Sequence, residues 1–161
     1  MFDISPIPIF YKNFCHHTVG WDEALNHLDK FEKDGGINDG SVVFKKTHGF
    51  ISYKAERLYP VQPLLKILKD KVKNTDYPVA TAHLYGGLTS SGKTTDRHWD
   101  PCHVWFWQCK GQAKWIVDGE KYHPQTFILS EGDMLYVPPK FNHEVIPMSP
   151  RLGISFGAEL P

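Results

Sequence analysis

From Pro78 onward the chain repeats one pattern: a short run rich in Val, Ile, Phe, Tyr and Trp, then turn chemistry, at a spacing of about ten residues. The runs are residues 79–85, 103–109, 114–117, 126–129, 134–137, 144–146 and 152–156. Between them lie a Gly/Ser/Thr loop at 86–96 and a turn at Lys110-Gly111, while Asp118-Gly119 and Glu131-Gly132-Asp133 read as hairpin connections. Short strands at even spacing have few ways to bury their apolar faces, and this cadence predicts a sandwich or jelly roll. The expected fold is mainly β, an antiparallel barrel.

The first 75 residues carry a different period. Trp21, Ala24, Leu25, Leu28 and Phe31 recur at helical spacing until Gly35-Gly36 stops them, and Val61, Leu64, Leu65, Leu68 and Val72 do the same after Pro60. Short strands are expected between them at 41–46 and 50–53. The two helices read as N-terminal cover for a sheet that would otherwise face water. A length of 161 residues with 41% hydrophobic content fits one domain over 1–161, with 1–75 as the covering region and 76–161 as the core barrel.

Charge and cysteine usage narrow the function classes. Eighteen basic residues balance eighteen acidic ones, so no net field draws nucleic acid or an anionic membrane. No apolar run reaches the length of a membrane span, and the N-terminus has no leader pattern. Cys15, Cys102 and Cys109 are odd in number and lack CxxC spacing, as expected of reduced thiols in a cytoplasmic protein.

The chemistry is concentrated around Arg97-His98-Trp99-Asp100. An imidazole and a carboxylate two residues apart point to the same side of an extended strand, which is a chelating arrangement. A third ligand from a distant strand would complete one face of an octahedral metal and leave positions open, as in the two-His-one-carboxylate sites of non-haem Fe(II) oxygenases. His143 is the natural third ligand. It follows the 131–137 strand region and the Pro138-Pro139 turn, which would present it at a barrel mouth.

The surrounding residues resemble the Jumonji-C (JmjC) branch of the cupin superfamily, most nearly the bacterial-type ribosomal-protein hydroxylases with a cupin-like domain. The likeness runs through His98-Trp99-Asp100, Val104-Trp105-Phe106-Trp107-Gln108, Gly111-Gln112-Ala113-Lys114-Trp115, Gly132-Asp133-Met134-Leu135-Tyr136-Val137-Pro138-Pro139 and His143-Glu144, across about residues 79–158. The resemblance implies a double-stranded β-helix that binds Fe(II) through His98, Asp100 and His143. It also implies that 2-oxoglutarate is bound, O₂ activated and a side chain hydroxylated.

The far carboxylate of 2-oxoglutarate then needs a cation inside the barrel, because a buried unpaired charge is costly. In the relatives that cation lies two residues after the turn glycine, a position occupied here by Ala113. Arg151, leading into the last strand, is preferred as its replacement; the alternative for it is a solvent-facing charge beside the 147–150 turn. Lys114 would reach the cavity only through a bulge, since one step of register reverses a side chain. Lys93, in the Gly/Ser/Thr loop, is a third choice. Thr95 matches a hydroxyl that contacts the cosubstrate in some relatives, or else forms a turn. Tyr85 could offer its phenol to the same ligand or pack in the core.

Other residues are read more plainly. Glu144 is adjacent to a ligand on a strand and should face away from the metal, and the odd offset of His103 from Asp100 should aim it off the metal face. Trp105, Trp107 and Trp115 are expected between barrel wall and covering helices. His83 either lines the cavity or is a core histidine, and His16-His17 is expected at the surface.

The expected function is an Fe(II)- and 2-oxoglutarate-dependent dioxygenase acting on a protein side chain or a small molecule, as a monomer or a homodimer. Ala113 keeps two alternatives open: a metal-dependent cupin enzyme without 2-oxoglutarate, and a non-catalytic metal-binding module. The 86–96 loop and the helices would frame the entrance.

Overall fold

The structure, a computed structural model, describes residues 1–35, 38–76 and 78–160. The chain runs β1 (Ile9–Tyr11), α1 (Trp21–Lys33), β2 (Val42–Phe44), β3 (Gly49–Ser52), a short 3₁₀ turn (Ala55–Arg57), α2 (Gln62–Val72) and β4 (Ala80–Gly87). It continues through β5 (His103–Lys110), β6 (Ala113–Gly119), β7 (Tyr122–Leu129), β8 (Met134–Val137), β9 (Asn142–Pro147) and β10 (Arg151–Ala158).

Both expected helices form. The Glu23 carboxylate accepts the Gly20 N–H at 2.7 Å to start α1, and Asp22 and Glu23 in the first turn against Lys30 and Lys33 in the last suit the helix dipole. Gly35, at φ +78°, follows the end of α1 in the left-handed region; Gly36, the other half of the expected stop, lies outside the described residues. Pro63 sits in the first turn of α2, where a missing N–H costs nothing.

Every strand expected from the sequence forms, with ends shifted by a few residues, and the strands make two antiparallel sheets. One has seven strands in the order β1-β8-β5-β10-β4-β3-β2, the other three in the order β7-β6-β9. The result is the mainly β jelly roll that the cadence predicts. The Asp118-Gly119 hairpin joins β6 to β7 as expected. The 131–133 segment is not a hairpin: it carries the chain from β7 in the small sheet to β8 in the large one. A two-residue turn signature fixes a reversal of direction but not whether the next strand stays in the same sheet.

Alternation along the strands builds two separate cores. Trp105, Trp107, Leu84, Ile154 and Phe156 face Leu64, Leu65 and Leu68 of α2, while Val104, Phe106, Trp115, Leu135 and Val145 meet between the sheets. Trp115 therefore differs from Trp105 and Trp107: it lies inside the barrel. The N-terminal region is more than cover, because β1, β2 and β3 extend the large sheet on both edges. Among the described residues no helix is long and apolar enough to cross a membrane.

β1, too short to read from the sequence, pairs with β8, and Asp133 ties down the residues that follow it. This fully buried carboxylate accepts the backbone N–H of Asn13 at 3.0 Å and of Ser130 at 2.9 Å, and pairs with the Lys12 ammonium at 3.0 Å. Burial acts to raise its pKa, and the Asn13, Ser130 and Lys12 contacts outweigh it, so the carboxyl lies below its ordinary value. A depressed carboxylate adds stability above the unfolded value of about 4 and loses it as pH falls through the folded one. Asp133→Ala is expected to cost about 2 kcal/mol in urea unfolding at pH 7, with the gap to wild type narrowing below about pH 4.

Candidate metal centre

His98 and His143 are joined through their backbones before their side chains meet. The His98 N–H donates to the His143 carbonyl at 3.1 Å, and the His143 N–H donates to the His98 carbonyl at 2.7 Å. This isolated antiparallel bridge sets the two residues opposite one another, with ring centroids 4.4 Å apart. Two residues on, the Lys140 N–H donates to the Asp100 carbonyl at 2.8 Å and keeps that stretch extended against the turn leading into β9. His98 and Asp100 thus face the same way, as their spacing predicts, although they lie beside β9 rather than in a regular strand. Trp99 between them turns outward, half-exposed.

The three side chains converge. Asp100 Oδ2 lies 3.5 Å from His143 Nε2 and 3.8 Å from His98 Nε2, and the three ligand atoms lie within 4.8 Å of one another. Neighbouring ligands on one ion, each at about 2.1 Å, would sit about 3 Å apart, so a small inward shift suffices. Both imidazoles are oriented to coordinate through Nε2. Nδ1 of His98 contacts the Asp96 carbonyl at 2.7 Å, and Nδ1 of His143 contacts the Phe141 carbonyl at 3.1 Å. A carbonyl can only accept, so each Nδ1 is a donor and Nε2 is the nitrogen left to face Asp100. Burial, then the neighbouring His98, pulls the His143 pKa below the usual imidazole range and favours the neutral form. Trp115 stacks on His143 at 5.5 Å and fixes the ring plane.

Beside the triad lies a narrow cavity with about 30 Å³ of room for water, lined by Tyr85, Thr95, Phe106, Trp115, Arg151 and Ser155, among others. Arg151 is 1% exposed, and its Nε and Nη1 have no hydrogen-bond partner; Nη2 donates to Thr94 Oγ1 at 3.3 Å. Burial pulls its pKa down to about 10, the nearby Tyr85 opposing, which still leaves it cationic at neutral pH. Tyr85 is itself pushed up, by burial first and then by Asp100, and stays a neutral phenol.

Of the sequence candidates, His98, Asp100 and His143 come together, and Arg151, Thr95 and Tyr85 line the adjoining cavity. Lys114 does not. It alternates with the buried Ala113 and Trp115 on β6, and the register with β7 and β9 runs unbroken from 113 to 117, so no bulge turns it inward. Lys93 pairs with Glu144 at 3.1 Å and Asp96 at 3.5 Å, away from the cavity. His103 bonds the Tyr136 hydroxyl at 2.8 Å on the helix side of the sheet, as its odd offset predicts. His83 meets Tyr53 edge-on at 5.1 Å and is not among the cavity-lining residues.

Two polar lining residues, Ser155 and Thr94, escape sequence reading. Ser155 lies four positions after Arg151 on the same face of β10, so strand parity was an available signal. Thr94 carries none, because nothing in the chain ranks it above Thr95.

A profile of the JmjC domain family matches residues 62–161. In structure the chain is similar to YcfD, a ribosomal oxygenase from Escherichia coli, solved with cobalt and 2-oxoglutarate: TM-score 0.64, 16% identity, 96% of this chain and 48% of that one. The same oxygenase with cobalt and succinic acid aligns over 70% of this chain and 32% of that one, at 20% identity and TM-score 0.57. A Bacillus subtilis oxalate decarboxylase variant aligns with TM-score 0.52 and 13% identity over 72% of this chain and 26% of that one. These likenesses establish the fold, and the chain spans about half or less of each relative's length. No curated protein matches the sequence.

His143→Ala is expected to weaken Co(II) binding, followed by calorimetry, by at least about a hundredfold, while Lys114→Ala leaves it unchanged. Wild-type melting temperature should rise with added Co(II) and that of the His143 variant should not.

Proposed function

This chain belongs to the JmjC domain family, and on that premise we propose that it is an Fe(II)- and 2-oxoglutarate-dependent oxygenase that hydroxylates a protein side chain or a small molecule. The observation that carries the proposal is Arg151, a buried cation that lines the cavity beside the His98, Asp100 and His143 cluster and has two nitrogens without a hydrogen-bond partner. A charge buried without a counter-charge costs several kcal/mol, so such a residue calls for an anionic ligand. A dicarboxylate would answer it, one end on the metal and the other on Arg151, with the cavity of about 30 Å³ widening to take it. Ala113 at the usual cation position would favour a cupin chemistry without 2-oxoglutarate; Arg151 supplies the cation from the other side of the barrel.

The residues fit these roles. His98, Asp100 and His143 would hold Fe(II) from one side, two neutral nitrogens and one carboxylate oxygen leaving the remaining positions to ligands. The Asp96 and Phe141 carbonyls keep the two imidazoles oriented. Arg151, with Thr95 and Tyr85 as hydrogen-bonding neighbours, would bind and orient the far carboxylate, and Tyr85 can do so only as a neutral donor. Phe106, Trp115 and Val145 keep bulk water from that end. Fe(II) with 2-oxoglutarate supplies the activation of O₂ that hydroxylation requires.

The same reading takes residues 1–161 as one domain working in the cytoplasm, as monomer or homodimer. The covering helices, expected at the entrance, pack instead on the outer face of the large sheet, so the substrate would meet the metal beside the 86–96 loop, which supplies Thr94 and Thr95 to the cavity.

Anaerobic protein with Fe(II) is expected to develop the weak visible charge-transfer band of metal-bound 2-oxoglutarate. Arg151→Met should raise the 2-oxoglutarate Kd at least about thirtyfold, with metal affinity retained. Turnover under ¹⁸O₂ should place one labelled atom in succinate. A wild-type protein that binds metal but shows neither band nor labelled succinate would remove the proposal.

A further inference from the structure

Gly49, Gly87 and Arg151 lie in one row across three neighbouring strands, Gly49 opposite Gly87 and Gly87 opposite Arg151. Over this row runs a strap, residues 92–96. On its inner side Thr94 and Thr95 line the cavity that holds Arg151. On its outer side the same two residues, with Lys45, Lys46 and Lys93, line a surface cleft of about 200 Å³. A single thickness of chain therefore separates the buried guanidinium from solvent.

Backbone contact between glycines holds the strap down. A Cβ on Gly92 would lie 2.7 Å from Gly87 Cα, one on Gly87 would lie 2.6 Å from the Gly92 carbonyl oxygen, and one on Gly49 would lie 2.8 Å from the Lys93 carbonyl oxygen. These neighbours are backbone atoms, which cannot rotate aside as a side chain would. The outer edge is pinned as well: the Thr47 hydroxyl donates to the Lys93 carbonyl, and the Lys93 ammonium pairs with Glu144 of β9, the residue after His143.

We infer that Thr94 is a positioning residue for Arg151, and that the clasp of Gly49, Gly87 and Gly92 sets the strap where Thr94 can act. Thr94 is 5% exposed, and its hydroxyl is the sole hydrogen-bond acceptor that the Arg151 side chain has among the described residues. An arginine has several freely turning bonds. One fixed acceptor on Nη2 sets the guanidinium plane and leaves the other donors aimed at the ligand. Without it, a carboxylate would have to order the arginine on binding, at a cost in affinity. The inference rests on the oxygenase reading, with 2-oxoglutarate as the carboxylate concerned.

The test titrates 2-oxoglutarate into the full chain loaded with Co(II), alongside the Co(II) affinity and melting temperature of each variant. Thr94→Val keeps the shape and removes the acceptor; it is expected to weaken 2-oxoglutarate about tenfold while Co(II) affinity stays within about twofold. Thr94→Ser restores the hydroxyl and should restore the affinity. Gly92→Ala should weaken 2-oxoglutarate in the same sense with Thr94 intact. A Thr94→Val protein that binds 2-oxoglutarate like wild type, or that loses Co(II) and 2-oxoglutarate equally, overturns the inference and spares the oxygenase reading. A wild-type protein that binds Co(II) and no 2-oxoglutarate overturns both.

Discussion

The reciprocal backbone hydrogen bonds between His98 and His143 are the constraint on which the site depends. They join a loop that belongs to neither sheet to the edge strand of the small sheet, β9. Once that pairing forms, both imidazoles and the Asp100 carboxylate have little freedom left, and their convergence costs scarcely any further ordering. The rest of the barrel serves this contact. The Pro138-Pro139-Lys140 turn, with Lys140 at φ +65°, delivers β9 at the right height, and the Arg97–Asp118 ion pair ties the loop to β6.

A second constraint is electrostatic. The inner face of β10 reads Arg151, Gly153, Ser155, Gly157: one large cation followed by small residues. Gly153 is needed there, since a Cβ would lie 2.2 Å from the Phe106 ring. Ala113 is fully buried and joins Phe106 and Trp115 in the apolar wall, while Arg151 carries the buried positive charge.

Much of this was legible in the sequence, for a physical reason. Strand parity is strict, so His98, Asp100 and His103 could be assigned to faces from their spacing alone, and Lys114 could be made conditional on a bulge that is absent. Helical period located α1 and α2 for the same reason. What stayed hidden depends on contacts distant in sequence. β1 is three residues paired with β8, more than a hundred positions away, and Asp133 beside that strand holds the chain as it leaves β1. Thr94 meets Arg151 only because Gly92 of its strap packs on Gly49 and Gly87 of two separate strands. Trp115 shares its chemistry with Trp105 and Trp107, and only the sheet to which its strand belongs puts it on the metal side.

The most direct measurement is a crystal structure of the protein loaded with Co(II) and 2-oxoglutarate, the metal located by its anomalous scattering. One cobalt peak is expected about 2.1 Å from Nε2 of His98, Nε2 of His143 and a carboxylate oxygen of Asp100, with the distal carboxylate of the ligand on Arg151. Cobalt bound elsewhere, or a ligand whose distal carboxylate avoids Arg151, would contradict it.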